Sequence, residues 1–259
     1  MMIGVGRWLL IGGILGGLGG ASAEAGEIVR YPSGPDTVSA YLARPEGDGS
    51  FPAVILIHEW WGLNEWVREN ADEFARRGYI ALAVDLYRGR VTQDPTEARE
   101  LSRGLPEVRA LQDLEAAVDY LRSRPDVRKD RIGVTGWCMG GGYALRLALA
   151  DSRIRAVNVN YGRLVFDEDR LRGLTAELLG IFAEQDRGIP PAEVQKFEGL
   201  LQRLGKKAEI HVYPGVGHAF MTGVPRNIAV VGRDLTPRER ATVDAWNRIF
   251  AFFDRTLKE

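Results

Sequence analysis

Gly136-Trp137-Cys138-Met139-Gly140-Gly141 separates two stretches of different character. Before it, Arg131-Ile132-Gly133-Val134-Thr135 is short and rich in β-branched residues, the pattern of a buried strand. After it, Tyr143 through Ala150 is rich in Ala and Leu and reads as a helix. A strand, a tight turn flanked by glycines and a helix together make the setting of a nucleophile elbow, G-x-Nuc-x-G. The middle residue of such a turn is strained, and a Cβ two positions to either side would strike the neighbouring strand or helix. Here the middle residue is Cys138, the single cysteine of the chain. A lone cysteine ahead of a helix is ordinarily a small buried hydrophobe. The agreement of strand, glycines and helix favours a nucleophile instead.

Moving outward, the same alternation continues. Glu27–Tyr31 and Thr37–Ala43 read as an antiparallel edge hairpin around Pro-Ser-Gly-Pro-Asp. Ala53–Ile57 is continuously apolar, as a parallel strand buried on both faces must be, and Tyr79–Val84 repeats the pattern. Between them, Asn64 can cap a helix that runs to Arg77 and stops at Gly78. Thr96–Arg103 is a short helix, and Pro106 opens a longer one with Leu111, Leu114, Val118 and Leu121 on one face. Further strands are expected at Ile154–Asn160, Glu177–Ala183 and Ala208–Tyr213. A helix opened by Pro191 and closed by Gly205 falls between the last two. Thr236-Pro237-Arg238-Glu239 is a capping box for a terminal helix whose apolar face ends at Leu257. Alternating strands and helices predict an α/β fold: a single doubly wound, mostly parallel sheet with helices on both faces, filling residues 24–259 as one domain.

Five blocks resemble the dienelactone hydrolase family, which are α/β-hydrolases with a cysteine nucleophile. They are Ile57-His58-Glu59-Trp60-Trp61-Gly62-Leu63-Asn64, Asp85-Leu86-Tyr87, the Gly136–Gly141 stretch, Gln185-Asp186 and Gly217-His218-Ala219-Phe220, and they stand in the family's order. The resemblance runs from about Val38 to the C-terminus. It implies an α/β-hydrolase fold, no cofactor, and hydrolysis of a small ester or lactone through an acyl-cysteine. It also implies that Glu59 contacts the resting thiol and helps to control its ionisation, with Arg88 or Arg90 as that carboxylate's partner. Two arginines of the family hold the substrate carboxylate. Arg88 or Arg90 stands near the first position, whereas Thr222 occupies the second and the nearest arginine is Arg226.

A thiol needs a base, and the base needs an orienting acid. Hydrolases of this architecture carry them in the order nucleophile, acid, base, on loops after later strands. Asp186 directly follows a predicted strand, and His218 lies in the loop after the last one. Both are at strand C-terminal ends, where open α/β sheets bind ligands. Glu184 is the reserve acid, His211 lies inside a strand, and His58 ends a strand close to the site, where the resemblance gives it no role in proton transfer. No serine lies in a G-x-S-x-G context, so a serine esterase has no nucleophile here. The helix start after Cys138 and His218 as proton acceptor are both expected to favour the thiolate. The N–H groups of Met139 and Trp60 are the expected oxyanion donors. Trp61 and Trp60 are candidates to line an apolar pocket, and Trp66 reads as core.

Composition narrows the function classes. Apolar residues at 45% suffice for a sizeable core, and 34 basic against 35 acidic residues leave no electrostatic footprint for nucleic acid. No metal-ligand spacing is present. Arg7, the apolar run Trp8–Leu18 and Ala21-Ser22-Ala23 read as a signal peptide over residues 1–23, hence a periplasmic or secreted protein with no stable membrane span after cleavage. A monomer acting on a small molecule is expected. The alternatives are an exported binding or carrier protein on a non-catalytic hydrolase scaffold, or an esterase or thioesterase for a neutral substrate. Thiol redox chemistry lacks a second cysteine to resolve it.

Overall fold

The structure is a computed structural model that describes residues 26–226 and 234–259; the predicted signal peptide and the middle of the 221–235 loop lie outside the described residues. The strands are β1 (Glu27–Ser33), β2 (Asp36–Ala43), β3 (Phe51–Ile57), β4 (Ile80–Val84), β5 (Val127–Trp137), β6 (Ile154–Asn160), β7 (Glu177–Ala183) and β8 (Ala208–Tyr213). They form one sheet in the order β1-β2-β4-β3-β5-β6-β7-β8. The β1/β2 and β2/β4 pairs are antiparallel and all the others parallel. The edge hairpin is tighter than its sequence suggested: Pro32 and Ser33 still pair with Thr37 and Asp36, and Gly34 turns the chain at φ 57°.

The helices are α1 (Glu65–Arg76), α2 (Pro95–Arg103), α3 (Glu107–Ser123), α4 (Met139–Ala150), α5 (Glu168–Arg172), α6 (Pro191–Arg203) and α7 (Pro237–Phe253), the last running on into a π-helical turn over Asp254–Lys258. Asn64 caps α1 by accepting from Val67 N–H at 3.2 Å, and the capping box at Thr236 and Glu239 is present at α7. Strand β3 shows why the sheet is covered twice. Ala53, Ile55 and Ile57 point into a core shared with α3, α4 and α6, while Val54 and Leu56 point into one shared with α1 and α7. Among the described residues no helix is long and apolar enough to cross a membrane.

Two elements around the elbow depart from the sequence reading. Strand β5 begins at Val127 rather than Arg131, because Val127 pairs with Phe51 across a polar stretch that hides the strand. Helix α4 begins at Met139 rather than Tyr143, so Gly140, Gly141 and Gly142 lie inside it. Glycine is a poor helix former, yet here close packing decides. A Cβ on Gly140 would sit 2.2 Å from the Ile57 carbonyl oxygen, and one on Gly141 2.7 Å from that of Asn160.

Candidate active site

The elbow is built as its glycines require. Cys138 has φ 55° and ψ −115°, a left-handed conformation that only a tightly held residue keeps. Its N–H donates to the Asn160 carbonyl at 3.0 Å. Gly136 makes room for the return of the chain, since a Cβ there would lie 2.2 Å from the Gly140 carbonyl oxygen. Beneath the turn is a buried polar cluster. Thr135 Oγ1 and Asn160 Nδ2 each donate to Asn158 Oδ1 at 2.7 Å, and Asn160 Nδ2 reaches Gly136 O at 3.0 Å. These bonds tie the end of β5 to β6 and fix the height of the thiol above the sheet. Met139 is held from the other side, its sulfur accepting from the hydroxyls of Tyr87 (3.3 Å) and Ser102 (3.4 Å).

Asp186 and His218 come together as expected. His218 Nδ1 lies 2.6 Å from Asp186 Oδ2, while Asp186 Oδ1 accepts from the N–H groups of Gly188 (2.8 Å) and Ile189 (3.1 Å). With its carboxylate so held, Asp186 accepts the hydrogen bond of the His218 Nδ1–H and leaves Nε2 as the accepting nitrogen. Tyr161, at φ 39° just past β6, packs its ring edge against the imidazole with 5.2 Å between centroids. Glu184, the reserve acid, is engaged elsewhere: it accepts from Gly215 N–H at 2.8 Å and so shapes the loop that carries His218. His58 is buried, with Nδ1 on the Glu59 carbonyl (2.5 Å) and Nε2 accepting from Leu86 N–H (3.2 Å), so it clamps β3 to the loop after β4. His211 on β8 faces Glu209 at 2.5 Å, away from the site.

The electrostatics overturn one expectation. Burial first, and then the Glu59 carboxylate, push the Cys138 thiol up to about 12; Met139 N–H works the other way but does not win. The resting sulfur is therefore a neutral thiol, not a thiolate. The helix start and His218 pointed to the opposite because burial and the facing carboxylates cannot be read from spacing. Glu59 itself is buried, and burial raises its carboxyl to about 7 against the pull of the Thr222 hydroxyl and of His218. Thr222 Oγ1 donates to Glu59 Oε1 at 2.9 Å, and the Tyr161 hydroxyl lies 3.5 Å from Thr222.

Glu59 thus has a hydroxyl for a partner, and the expected arginines are elsewhere. Arg88 makes a bidentate pair with the buried Asp113 (2.7 and 3.0 Å) and a longer contact with Asp36. Arg90 pairs with Glu97 at 2.7 Å and lines a different cavity, beside Tyr87 and Arg109. Neither faces the thiol, because Asp113 of α3 and Glu97 of α2 reach them first. Arg226 is likewise engaged, bonded to Asn70 and stacked on Trp246. Trp66 packs edge-on against Trp137 in the core at 5.1 Å.

One cavity lies against His218 and Glu59, and a second holds the thiol itself. One, about 520 Å³, is lined by Glu59, Trp61, His218, Phe220, Thr222 and Arg238. The other, about 390 Å³, is lined by Cys138, Met139, Trp60, Tyr143, Arg146 and Arg163, among others. Trp60 and Trp61 stand edge to face at 4.9 Å, one in each lining. The contacts of Tyr161 and Thr222 had no signal in the sequence beyond lying next to a strand end and to His218.

A stability test follows from Glu59. Folding raises its carboxyl from an ordinary 4.5 to about 7, so the folded chain holds an extra proton between those values. The stabilisation is fully present below pH 4.5 and is lost as pH rises through about 7. Glu59→Gln, which keeps an acceptor for Thr222, is expected to recover about 3 kcal/mol at pH 8 and almost nothing at pH 4. Melting curves of both proteins at the two pH values measure this; equal differences at both would contradict it.

The sequence profile described as the dienelactone hydrolase family matches residues 38–257. A protein of Methylorubrum extorquens named as a carboxymethylenebutenolidase is 30% identical over 245 residues, covering 88% of this chain and 80% of that one. A protein of Bradyrhizobium named as a 2-oxo-3-(5-oxofuran-2-ylidene)propanoate lactonase is 33% identical over 194 residues, covering 70% of this chain and 78% of its own. Among solved structures, a dienelactone hydrolase of Klebsiella pneumoniae superposes with a TM-score of 0.77 at 28% identity, over 89% of this chain and 98% of that one. With one sheet of this order, an elbow at the end of β5 and a profile match over most of its length, the chain belongs to the dienelactone hydrolase family and has the α/β-hydrolase fold.

Proposed function

We propose that the protein hydrolyses an ester or lactone by a Cys138-His218-Asp186 triad, through an acyl-cysteine. The observation that carries this reading is the joint placement of a strained Cys138 at an elbow and a His218 held by Asp186 at 2.6 Å. The family membership and the relatives named for lactonase and carboxymethylenebutenolidase chemistry support the bond class. A binding or carrier role gives no reason for a strained nucleophile beside an oriented imidazole.

The chemistry runs as follows. With substrate bound, the thiol proton passes to His218 Nε2. The sulfur attacks the carbonyl carbon, and the resulting oxyanion is met by Met139 N–H and, across the cavity, by Trp60 N–H. The C–O bond to the leaving group then breaks, and His218 returns its proton to the departing oxygen. Water, deprotonated by His218, attacks the thioester, and the acid leaves with the thiol restored. Burial first, and the Glu59 carboxylate second, keep the resting sulfur protonated, which shields it from oxidation because the thiolate is the species oxidised.

Activity on a panel of enol lactones, 4-nitrophenyl esters and thioesters tests the reading. Asp186→Asn, which keeps the shape but loses the charge that orients His218, is expected to lower kcat about 10³-fold or more. A variant with near-parental kcat would remove Asp186 from the triad.

A further inference from the structure

The triad's base is carried on a run of turns rather than on a regular element. Directly after His218, Ala219 stands at φ 57°, a left-handed conformation that an alanine keeps only where its neighbours enforce it. Within the run, Thr222 N–H donates to Ala219 O at 3.1 Å and Val224 N–H to Met221 O at 3.3 Å. The carbonyls in between, those of Phe220 and Thr222, are taken from α7. Arg238 holds both, donating to Phe220 O from Nε at 2.9 Å and to Thr222 O from Nη2 at 2.7 Å. Thr242, one turn further along α7 and buried, adds its hydroxyl to Phe220 O at 3.1 Å. Arg238 is the second residue of α7, and a cation in the first turn opposes the helix dipole. Helix stability therefore gives no reason for it, whereas the two carbonyls do.

Both grips lead to the groups around the thiol. The Phe220 ring stands against those of Tyr161 (5.8 Å) and Tyr213 (5.3 Å), and Tyr161 packs in turn on the His218 imidazole. Thr222 donates its hydroxyl to Glu59. One guanidinium thus fixes the backbone of the residue that backs the base's aromatic neighbour, and of the residue whose hydroxyl holds Glu59. Arg238, His218, Glu59, Phe220 and Thr222 line the same cavity, so the grip is part of its wall. Resting on the triad reading above, we infer that Arg238 is a positioning residue of the reaction. From α7 it locks the turn after His218, and so keeps the imidazole on Asp186 and the Thr222 hydroxyl on Glu59. A planar fork with donors in fixed geometry suits two carbonyls of one turn, a match that the single ammonium of a lysine lacks.

Steady-state kinetics on 4-nitrophenyl butyrate, a neutral ester with no charge for Arg238 to bind, reads this role. Arg238→Gln is expected to lower kcat about tenfold or more, with KM within about twofold of the parent and melting within a few degrees of it. Arg238→Lys, which keeps the charge but loses the fork, is expected to fall between the two. Arg240→Gln removes a neighbouring cation of α7 that bonds Leu235 O and lines another cavity, and is expected to keep the parental values. Iodoacetamide reads the same geometry without substrate. Its reaction with Cys138 at neutral pH, which draws on His218 to take the thiol proton, is expected to slow severalfold in Arg238→Gln. A raised KM at unchanged kcat would make Arg238 a substrate contact, and a kcat that falls only with the folded fraction would make it structural alone. Parental kcat and alkylation rates would make it neither. Each of these three results overturns this inference and leaves the triad standing. A parent protein that hydrolyses no ester and carries no acyl mass on Cys138 removes the triad reading and this inference together.

Discussion

Cys138→Ala is expected to abolish turnover, lowering kcat by roughly 10⁴-fold or more, while the protein melts within a few degrees of the parent. The chemical half of that expectation follows from the site's division of labour. His218 and Asp186 only move and steady a proton, so without the sulfur there is nothing to carry the acyl group. The structural half follows from the small change in volume, in a residue whose strain comes from the backbone and not from its side chain. Alanine accepts the left-handed conformation no worse than cysteine does. Cys138→Ser is expected to be nearly as inactive. A hydroxyl is a weaker acid than a thiol, and the burial and Glu59 carboxylate that already push the thiol to about 12 act on it as well. Residual activity near the parental level in either variant would place the nucleophile elsewhere.

The second large effect is structural. Gly140→Ala sets a Cβ 2.2 Å from the Ile57 carbonyl oxygen and 2.5 Å from that of His58, both backbone atoms at the end of β3. Neither can yield without opening the contact between α4 and the central strand, and that contact fixes the elbow above the sheet. The expected cost is about 3–5 kcal/mol, a fall in melting temperature on the order of 10 °C, with activity lost even in the fraction that folds. Gly215→Ala, where no atom lies within 4 Å of an added Cβ but φ is 70°, separates crowding from backbone strain and is expected to cost only about 1 kcal/mol. Thermal melts of the two variants measure the difference; a Gly140→Ala protein as stable as the Gly215→Ala one would show that the close approach at the elbow is slack.

What could be read from the chain and what could not divides along physical lines. The parallel strands were legible because burial on both faces writes continuous apolar runs, as in Ala53–Ile57. Helix α5 was not, since five residues capped by Asp167 are too few to show a period. The start of α4 is hidden because propensity speaks against a helix over Gly140–Gly142, whereas the backbone oxygens of Ile57 and Asn160 require Gly140 and Gly141. At the candidate site, Cys138, Asp186 and His218 could be singled out because each sits in a loop at the end of its own strand. The contacts between elements were silent. Nothing in the order of residues says that Asp113 takes Arg88 or that Thr222 turns to Glu59. The ionisation of the thiol is silent for the same reason: the helix start is local and visible, while its burial and then Glu59, from another strand, come only with the fold.

The acyl-enzyme itself is the most direct test. Mixing the protein with excess activated ester at a pH where deacylation is slow, quenching in acid and mapping the peptides by mass spectrometry reads the nucleophile. One acyl group per chain, on the peptide containing Cys138 and discharged by neutral hydroxylamine, is the predicted result. Turnover with no acyl mass on Cys138, or with the label on another side chain, would contradict it.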